Sequence, residues 1–411
     1  MKTTFTLAAF VASVLAQSPS LSELIESQPD LSILGTALGL VPELAETLTG
    51  LSGITIFAPT DSAFQALLGG ETSQESFSIS QRDAKAVARI LSYHVLNGTY
   101  TSSDFSEIPT YVNTLLTPSS ESPFVSNVTE GQNLGLVLDG DSATILSGDF
   151  NTATVTEADI KAANDVTVHK IDEVLIIPSL LSDTLSRLPD VGVSAAIGAL
   201  TATDLVQTVD TIADLTIFVP NNAAFAGAAS AFANASVETL TSVLTYHAVA
   251  GAVVFASDVT NTTVPTVNGN DVTLSVGTDG TVYVDNAKVI FPNIILSNGV
   301  AHIIDTVLNP EDEVESPSPA ATPTPAYSGA SAIGTDIPFT SGVAAVGTGL
   351  ISIPAVATTA QFVAPGGANA TSVASPTASP SPSVSEFPGA ANKVKGAVGG
   401  MAIGLGMALM L

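Results

Sequence analysis

Apolar residues recur at intervals of three and four at Leu21, Leu24 and Ile25, then at Leu34, Leu38, Leu40, Leu44 and Leu48. The same intervals return at Leu180, Leu181, Leu185 and Leu188, then at Ile197, Leu200, Leu205 and Val206. Such spacing puts the apolar side chains on one face of a helix, and Pro29-Asp30 and Pro189-Asp190 interrupt the runs at equivalent places. Each helical stretch leads into a continuous apolar strand, Ile54–Phe57 or Leu215–Val219, stopped by a proline. Side-chain oxygens of Thr60 or Asp61, and of Asn221 or Asn222, are then placed to cap the next helix. Further helices are predicted at Ala84–Tyr93 and Val237–Tyr246. After them the period changes to two, at Leu136–Leu138 and Val166–Val168, and at Val272–Val276, Val282–Val284 and Val289–Phe291, with Gly and Asn turns between. Helices first and a sheet later predict an α+β domain.

The two halves are one domain written twice. Thr55-Ile56-Phe57-Ala58-Pro59-Thr60-Asp61-Ser62-Ala63-Phe64, Tyr93-His94 and Val168-His169-Lys170-Ile171-Asp172 return in order. Their counterparts are Thr216-Ile217-Phe218-Val219-Pro220-Asn221-Asn222-Ala223-Ala224-Phe225, Tyr246-His247 and Ala301-His302-Ile303-Ile304-Asp305. All four histidines of the chain fall in these segments. Thr55 to Thr216 is 161 residues, His94 to His247 is 153 and His169 to His302 is 133, so the second copy is shortened by loop deletions.

These ordered segments resemble the signatures of the fasciclin (FAS1) domain, over Ser18–Pro178 and Ser179–Pro310. The resemblance implies two tandem copies, residues 17–178 and 179–310, each a helical group packed on a β-sandwich-like core. It also implies cell–cell or cell–matrix contact. The signature residues Phe57, Asp61, Phe64, Tyr93, His94, His169 and Asp172, and Phe218, Asn222, Phe225, Tyr246, His247, His302 and Asp305, are expected to be structural. Two departures stand out. Asn222 replaces the acidic Asp61, and Asn164-Asp165 stands where the second copy has Asn298-Gly299. One extra residue separates Asn164 from His169, which predicts a local bulge.

The ends carry a different pattern. Lys2, the apolar run Phe5–Leu15 and the small-residue exit at Ala16 read as a secretory signal peptide over residues 1–16. From Glu311 the composition turns to Ser, Thr, Ala, Gly and Pro, with 11 of the 24 prolines in Ser316–Pro388. Residues 311–388 are therefore expected to form a disordered, O-glycosylated stalk. Gly389-Ala390-Ala391, a short polar spacer and uncharged Ala397–Leu411 match a GPI-attachment signal over 389–411, with Gly389 the expected site and Ala390 the alternative. A membrane-spanning helix fits less well, because such a tail reaches only about 22 Å against a hydrocarbon core of roughly 30 Å. Stalk plus lipid anchor resembles fungal wall proteins.

Loss of both end segments would remove Lys2, Lys393 and Lys395 and no acid, leaving 38 acidic residues against 7 of the 10 basic ones. That surface repels phosphate backbones and anionic lipid, which excludes nucleic-acid binding and polybasic membrane attachment. No acidic loop has the spacing of a calcium site. There is no cysteine, which removes disulfides, thiol catalysis and cysteine zinc sites. Sequons at Asn97, Asn127, Asn234, Asn261 and Asn369 predict a glycoprotein.

Catalytic chemistry finds little support. His169 and Asp172, like His302 and Asp305, have an H-x-x-D spacing, but residues three apart on a strand point to opposite faces. His94 and His247 end helices, where an imidazole bonds the last carbonyls. Nucleophile-elbow, phosphate-loop and zinc-helix motifs are missing. The chain reads as a binding module with no catalytic, cofactor or metal site. Its expected partners are extracellular-matrix or cell-wall components and other FAS1 domains, and its expected membrane link is the GPI anchor. The expected location is the outer plasma membrane or cell wall, with the vacuolar membrane as an alternative. A structural wall or polysaccharide-associated role is the second functional reading.

Overall fold

The computed structural model describes residues 18–359 apart from 71–72, 119–124, 189–190, 278, 312–326, 328, 334–336, 342 and 344–349. The expected signal peptide, anchor signal and Asn369 lie outside the described residues. Both repeats belong to one compact unit.

Repeat 1 opens with three short helices, α1 (Leu21–Ser27), α2 (Ser32–Gly39) and α3 (Pro42–Gly50), followed by β1 (Thr55–Pro59). Helices α4 (Asp61–Gly69), α5 (Gln74–Ser80) and α6 (Ala84–Tyr93) come next. The strands are β2 (Val95–Leu96), β3 (Thr110–Asn113), β4 (Asn133–Asp139), β5 (Ser142–Leu146), β6 (Thr152–Ala162) and β7 (Val166–Ile171). Repeat 2 runs α7 (Leu181–Ser186), α8 (Ser194–Ala202), α9 (Val206–Thr211), β8 (Leu215–Pro220), α10 (Asn222–Gly227), α11 (Ala229–Phe232) and α12 (Val237–Tyr246). Strands β9 (Ala248–Val249), β10 (Thr262–Pro265), β11 (Asp271–Val276), β12 (Val282–Val284), β13 (Ala287–Leu296) and β14 (Gly299–Ile304) complete it.

The α+β expectation holds in both copies. Each sheet has seven strands, ordered β2-β1-β7-β6-β5-β4-β3 and β10-β11-β12-β13-β14-β8-β9. A Leu96–Thr114 bridge brings the first strand's end back to the last, curling repeat 1 into a barrel-like shape. The central pairs β1–β7 and β8–β14 are parallel and buried along their whole length. That explains why β1 and β8 read as unbroken apolar runs rather than alternating ones.

Helix α6 spans the predicted residues because Asp83 caps its first amides and His94 ends it; α12 does the same between Ser236 and His247. Thr60 and Asn221 are the N-caps of α4 and α10. Their neighbours cap a different helix. Asp61 accepts from the Ile33 amide and the Ser32 hydroxyl, and Asn222 from the Ala195 amide and the Ser194 hydroxyl. The exchange of acid for amide at this motif position thus keeps the acceptor that holds α2 or α8, which is the part the fold uses.

The extra residue between Asn164 and His169 is taken up in a 3-10 turn over Ala163–Asp165 rather than in a bulge, and β6 and β7 pair in regular register from Ala162–Val166 to Ile160–Val168. Asn164 and Asp165 take left-handed φ of 61° and 58°, whereas repeat 2 makes the turn with Gly299 at φ 152°.

The repeats interlock beyond the chain crossover at Pro178-Ser179. Asn127 donates its backbone N–H to Ser297 O and its side-chain amide to Thr211 O, while Thr129 bonds Asp214 and Gln132 bonds Leu296 O and Ser297 O. Tyr111 stacks on Phe255 at 3.8 Å between ring centroids, and Arg187 pairs with Asp149 at 2.8 Å. Residues expected to belong to the stalk also make contacts: Tyr327, Ile337, Phe339, Ile351 and Ile353 pack on the repeat 2 core.

Candidate functional site

The first histidine of each repeat stands where α6 or α12 ends against the sheet. His94 terminates α6 and is buried. Its Nδ1–H donates to Ile90 O at 2.8 Å, and its Nε2 accepts the Leu175 amide at 3.0 Å. His247 repeats the arrangement with Val243 O at 2.7 Å and the Leu308 amide at 2.9 Å. Each ring ties the last turn of a helix to the chain leaving the final strand. Both nitrogens are then satisfied only in the neutral form. Burial pushes both imidazoles from 6.5 down to about 4.

The second histidine of each repeat serves another tie. His169 donates from Nε2 to Tyr100 O and accepts the Asp159 amide at Nδ1; His302 donates to Val254 O and accepts the Asn293 amide. Asp159 and Asn293 can present those amides because bulges in β6 and β13 put them at φ of 59° and 62°. Their side chains reach short turns: Asp159 accepts from Ser102 at the surface, and buried Asn293 from the Ala256 amide. Phe57 and Phe218 lie 5.7 Å from the His169 and His302 rings, respectively. Burial lowers the pKa of His169 and takes that of His302 down to about 4.

The remaining signature residues serve the fold. Tyr93 donates to Asn133 O, and Tyr246 bonds Asp271 O and the Asp285 carboxylate. Asp172 accepts the Thr154 amide and Asp305 the Lys288 amide, each bracing the neighbouring strand. Phe64 and Phe225 are core residues at 1% and 0% exposure. The sequence did not single out Asp159, Asn293, Leu175 or Leu308, because their contributions are main-chain amides placed by a bulge or a strand exit. The left-handed Asx residues were the one local signal for the bulges.

Among the described residues, no group of three or more His, Asp or Glu could hold a metal ion. His94→Ala and His247→Ala should each lower stability by roughly 1–3 kcal/mol, since a buried amide and carbonyl lose their partner. Thermal unfolding checks this; an unchanged Tm in both variants would remove the structural role.

Three of the expected glycosylation sites, Asn97, Asn234 and Asn261, are exposed. Asn127 is half-buried between the repeats and its side-chain amide is engaged.

The arrangement defines a duplicated scaffold in which the shared polar residues hold strands, turns and helix ends together. The chain belongs to the fasciclin family: the Fasciclin domain matches residues 29–178 and 191–310, more than half its length. It is 30% identical over 318 residues to a fasciclin-like arabinogalactan protein of Arthroderma benhamiae, covering 77% of this chain and 73% of the relative. It is 28% identical over 309 residues to the fasciclin-like arabinogalactan protein CTB11 of Cercospora beticola, covering 72% and 78%. Among solved structures, the FAS1 domain pair of the insect cell adhesion molecule Fasciclin I matches with a TM-score of 0.31 and 16% identity, covering 67% of this chain and 95% of that one.

Proposed function

We propose that this protein is a secreted, glycosylated surface protein, GPI-anchored near Gly389, whose two repeats act as an adhesion or wall-contact module. The observation that carries this reading is the use of the signature residues: all four histidines and the paired aspartates serve the scaffold, leaving the outer faces for contact. The names of the fungal relatives support a wall or surface setting. Exposed sequons on both repeats support a sugar-bearing exterior. Many anchored copies on one surface would gain avidity from individually weak contacts.

Surface labelling before and after a phosphatidylinositol-specific phospholipase tests the anchor, and aggregation of deletion cells tests adhesion. Loss of surface signal with reduced aggregation is the expected result. Aggregation identical to the parent's, with the chain captured on glucan or chitin, would favour a polysaccharide-associated wall role instead.

Peptide mass spectrometry should find glycans at Asn97, Asn234 and Asn261 and an unmodified Asn127. A sugar on Asn127 would intrude where Thr211 and Ser297 meet it. Full occupancy of Asn127 in the folded protein would contradict the described contact between repeats.

A further inference from the structure

We propose that the helical layer of repeat 2 is a segment-docking groove whose resident ligand is the chain's own downstream residues, among them Tyr327, Ser331, Ile337, Phe339, Ile351 and Ile353. This goes beyond the surface role above and does not depend on it. The groove has a floor built for close approach. A Cβ added to Gly198 in α8 would lie 1.8 Å from the Phe339 carbonyl oxygen, so only glycine admits the backbone there. Phe339 itself sits at φ 64°, a conformation that a bulky residue holds only when its surroundings impose it.

Those surroundings are specific. The Phe339 ring meets Phe225 at 5.9 Å and Phe232 at 6.2 Å, and Tyr327 meets Phe232 at 5.2 Å. Main-chain bonds fix the path: Ser230 N–H donates to Ser331 O, Ser331 N–H to the Ser230 hydroxyl, and Ile351 N–H to Arg187 O. The next helix, α13 (Ala355–Thr359), then buries Val356 against Val137 and Leu146 of repeat 1, so the segment clasps both repeats.

Repeat 1 provides an internal contrast. The capping bonds Ser32–Asp61 and Ser194–Asn222 align α2 with α8 and put Thr36 at the place of Gly198. There a groove of about 720 Å³ runs along α1, α2 and α3, with Thr36 on its wall. Repeat 1 therefore has a groove at this place but lacks the glycine on which the Phe339 carbonyl rests. The ligand chemistry of the repeat 2 groove is an aromatic side chain accompanied by isoleucines, with a carbonyl pressed on a glycine.

The test uses the full chain and hydrogen exchange. In the parent protein the Ser331 and Ile351 amides should be protected. In Gly198→Ala they should exchange at least about tenfold faster while α8 keeps its protection, because alanine favours the helix and only the docked segment is displaced. Phe339→Ala should give the same local loss. A labelled peptide of residues 327–359 should then bind the Phe339→Ala chain, whose groove is vacated, and fail to bind the Gly198→Ala chain, whose groove is filled. That result would also show that the groove accepts the segment of a second copy. Unprotected amides in the parent, or equal peptide binding by the two variants, would overturn the proposal.

Discussion

Acidification from pH 7 to pH 4 is expected to remove several kcal/mol of folding stability, with each of three buried histidines contributing up to roughly 3 kcal/mol. His94, His247 and His302 are held near 4 by burial, against 6.5 for the free side chain. The folded state therefore binds their protons less readily than the unfolded chain. Their contribution is fully present above pH 6.5 and declines as pH falls from there to about 4, where it is exhausted. His169 acts in the same direction. Glu75 and Asp258 oppose it: burial raises their pKa, so their neutral forms favour the fold in acid and offset part of the loss. Against a typical total of about 5–15 kcal/mol, the net change is large enough to unfold the protein near pH 4. Denaturant unfolding across this range checks the slope, and His94→Gln/His247→Gln should be less stable at pH 7 but flatten it. Equal midpoints at pH 7 and 4.5 in the parent would refute the neutral-histidine account.

Gly299→Val is expected to be the most damaging single change at a signature position outside the histidines. Gly299 starts β14 at φ 152°, and an added Cβ would stand 1.8 Å from the Leu215 carbonyl oxygen. Leu215 opens β8, the parallel partner of β14, and its amide bonds Asn298 O. Relief would require parting the two central strands of repeat 2, a loss on the order of 3 kcal/mol or more. Repeat 1 supplies the control. It makes the same turn with Asn164 and Asp165 in the left-handed region and starts β7 with Val166 at an ordinary φ of −83°. Asp165→Gly should consequently shift stability by less than about 1 kcal/mol. A denaturant midpoint for Gly299→Val close to that of the parent, with unchanged slope, would show that the strands accommodate the side chain.

The contact between repeats bears on how the tandem behaves. Each copy carries a full set of signature residues. The loop bearing Asn127, Thr129 and Gln132 nevertheless bonds repeat 2, and Arg187 reaches back to Asp149. Such a join couples the two cores mechanically, and the segment ending in α13 adds a second tie.

Elements whose cause is local were legible in the sequence. The parallel strands β1 and β8 were visible as apolar runs ended by proline, and α6 and α12 as amphipathic turns between a cap and a histidine. The duplication was visible because the same side chains return in the same order. Strand β6 was not legible, since its bulge breaks the alternation and its middle residues are exposed.

By itself, then, the sequence determined the duplicated α+β plan and the family. Only the tertiary structure decided what each polar signature residue holds. His94 needs the amide of Leu175, 81 residues away, and His247 that of Leu308, 61 residues away. Asp61 caps a helix that precedes it by 28 residues. The docking of Phe339 on Gly198 joins a sparse aromatic in a Ser/Thr/Pro-rich stretch to a glycine in a helix. In each case the partner is a main-chain group or an open space. Neither carries a side-chain signature, so it exists for the reader of the chain only once the backbone has been folded.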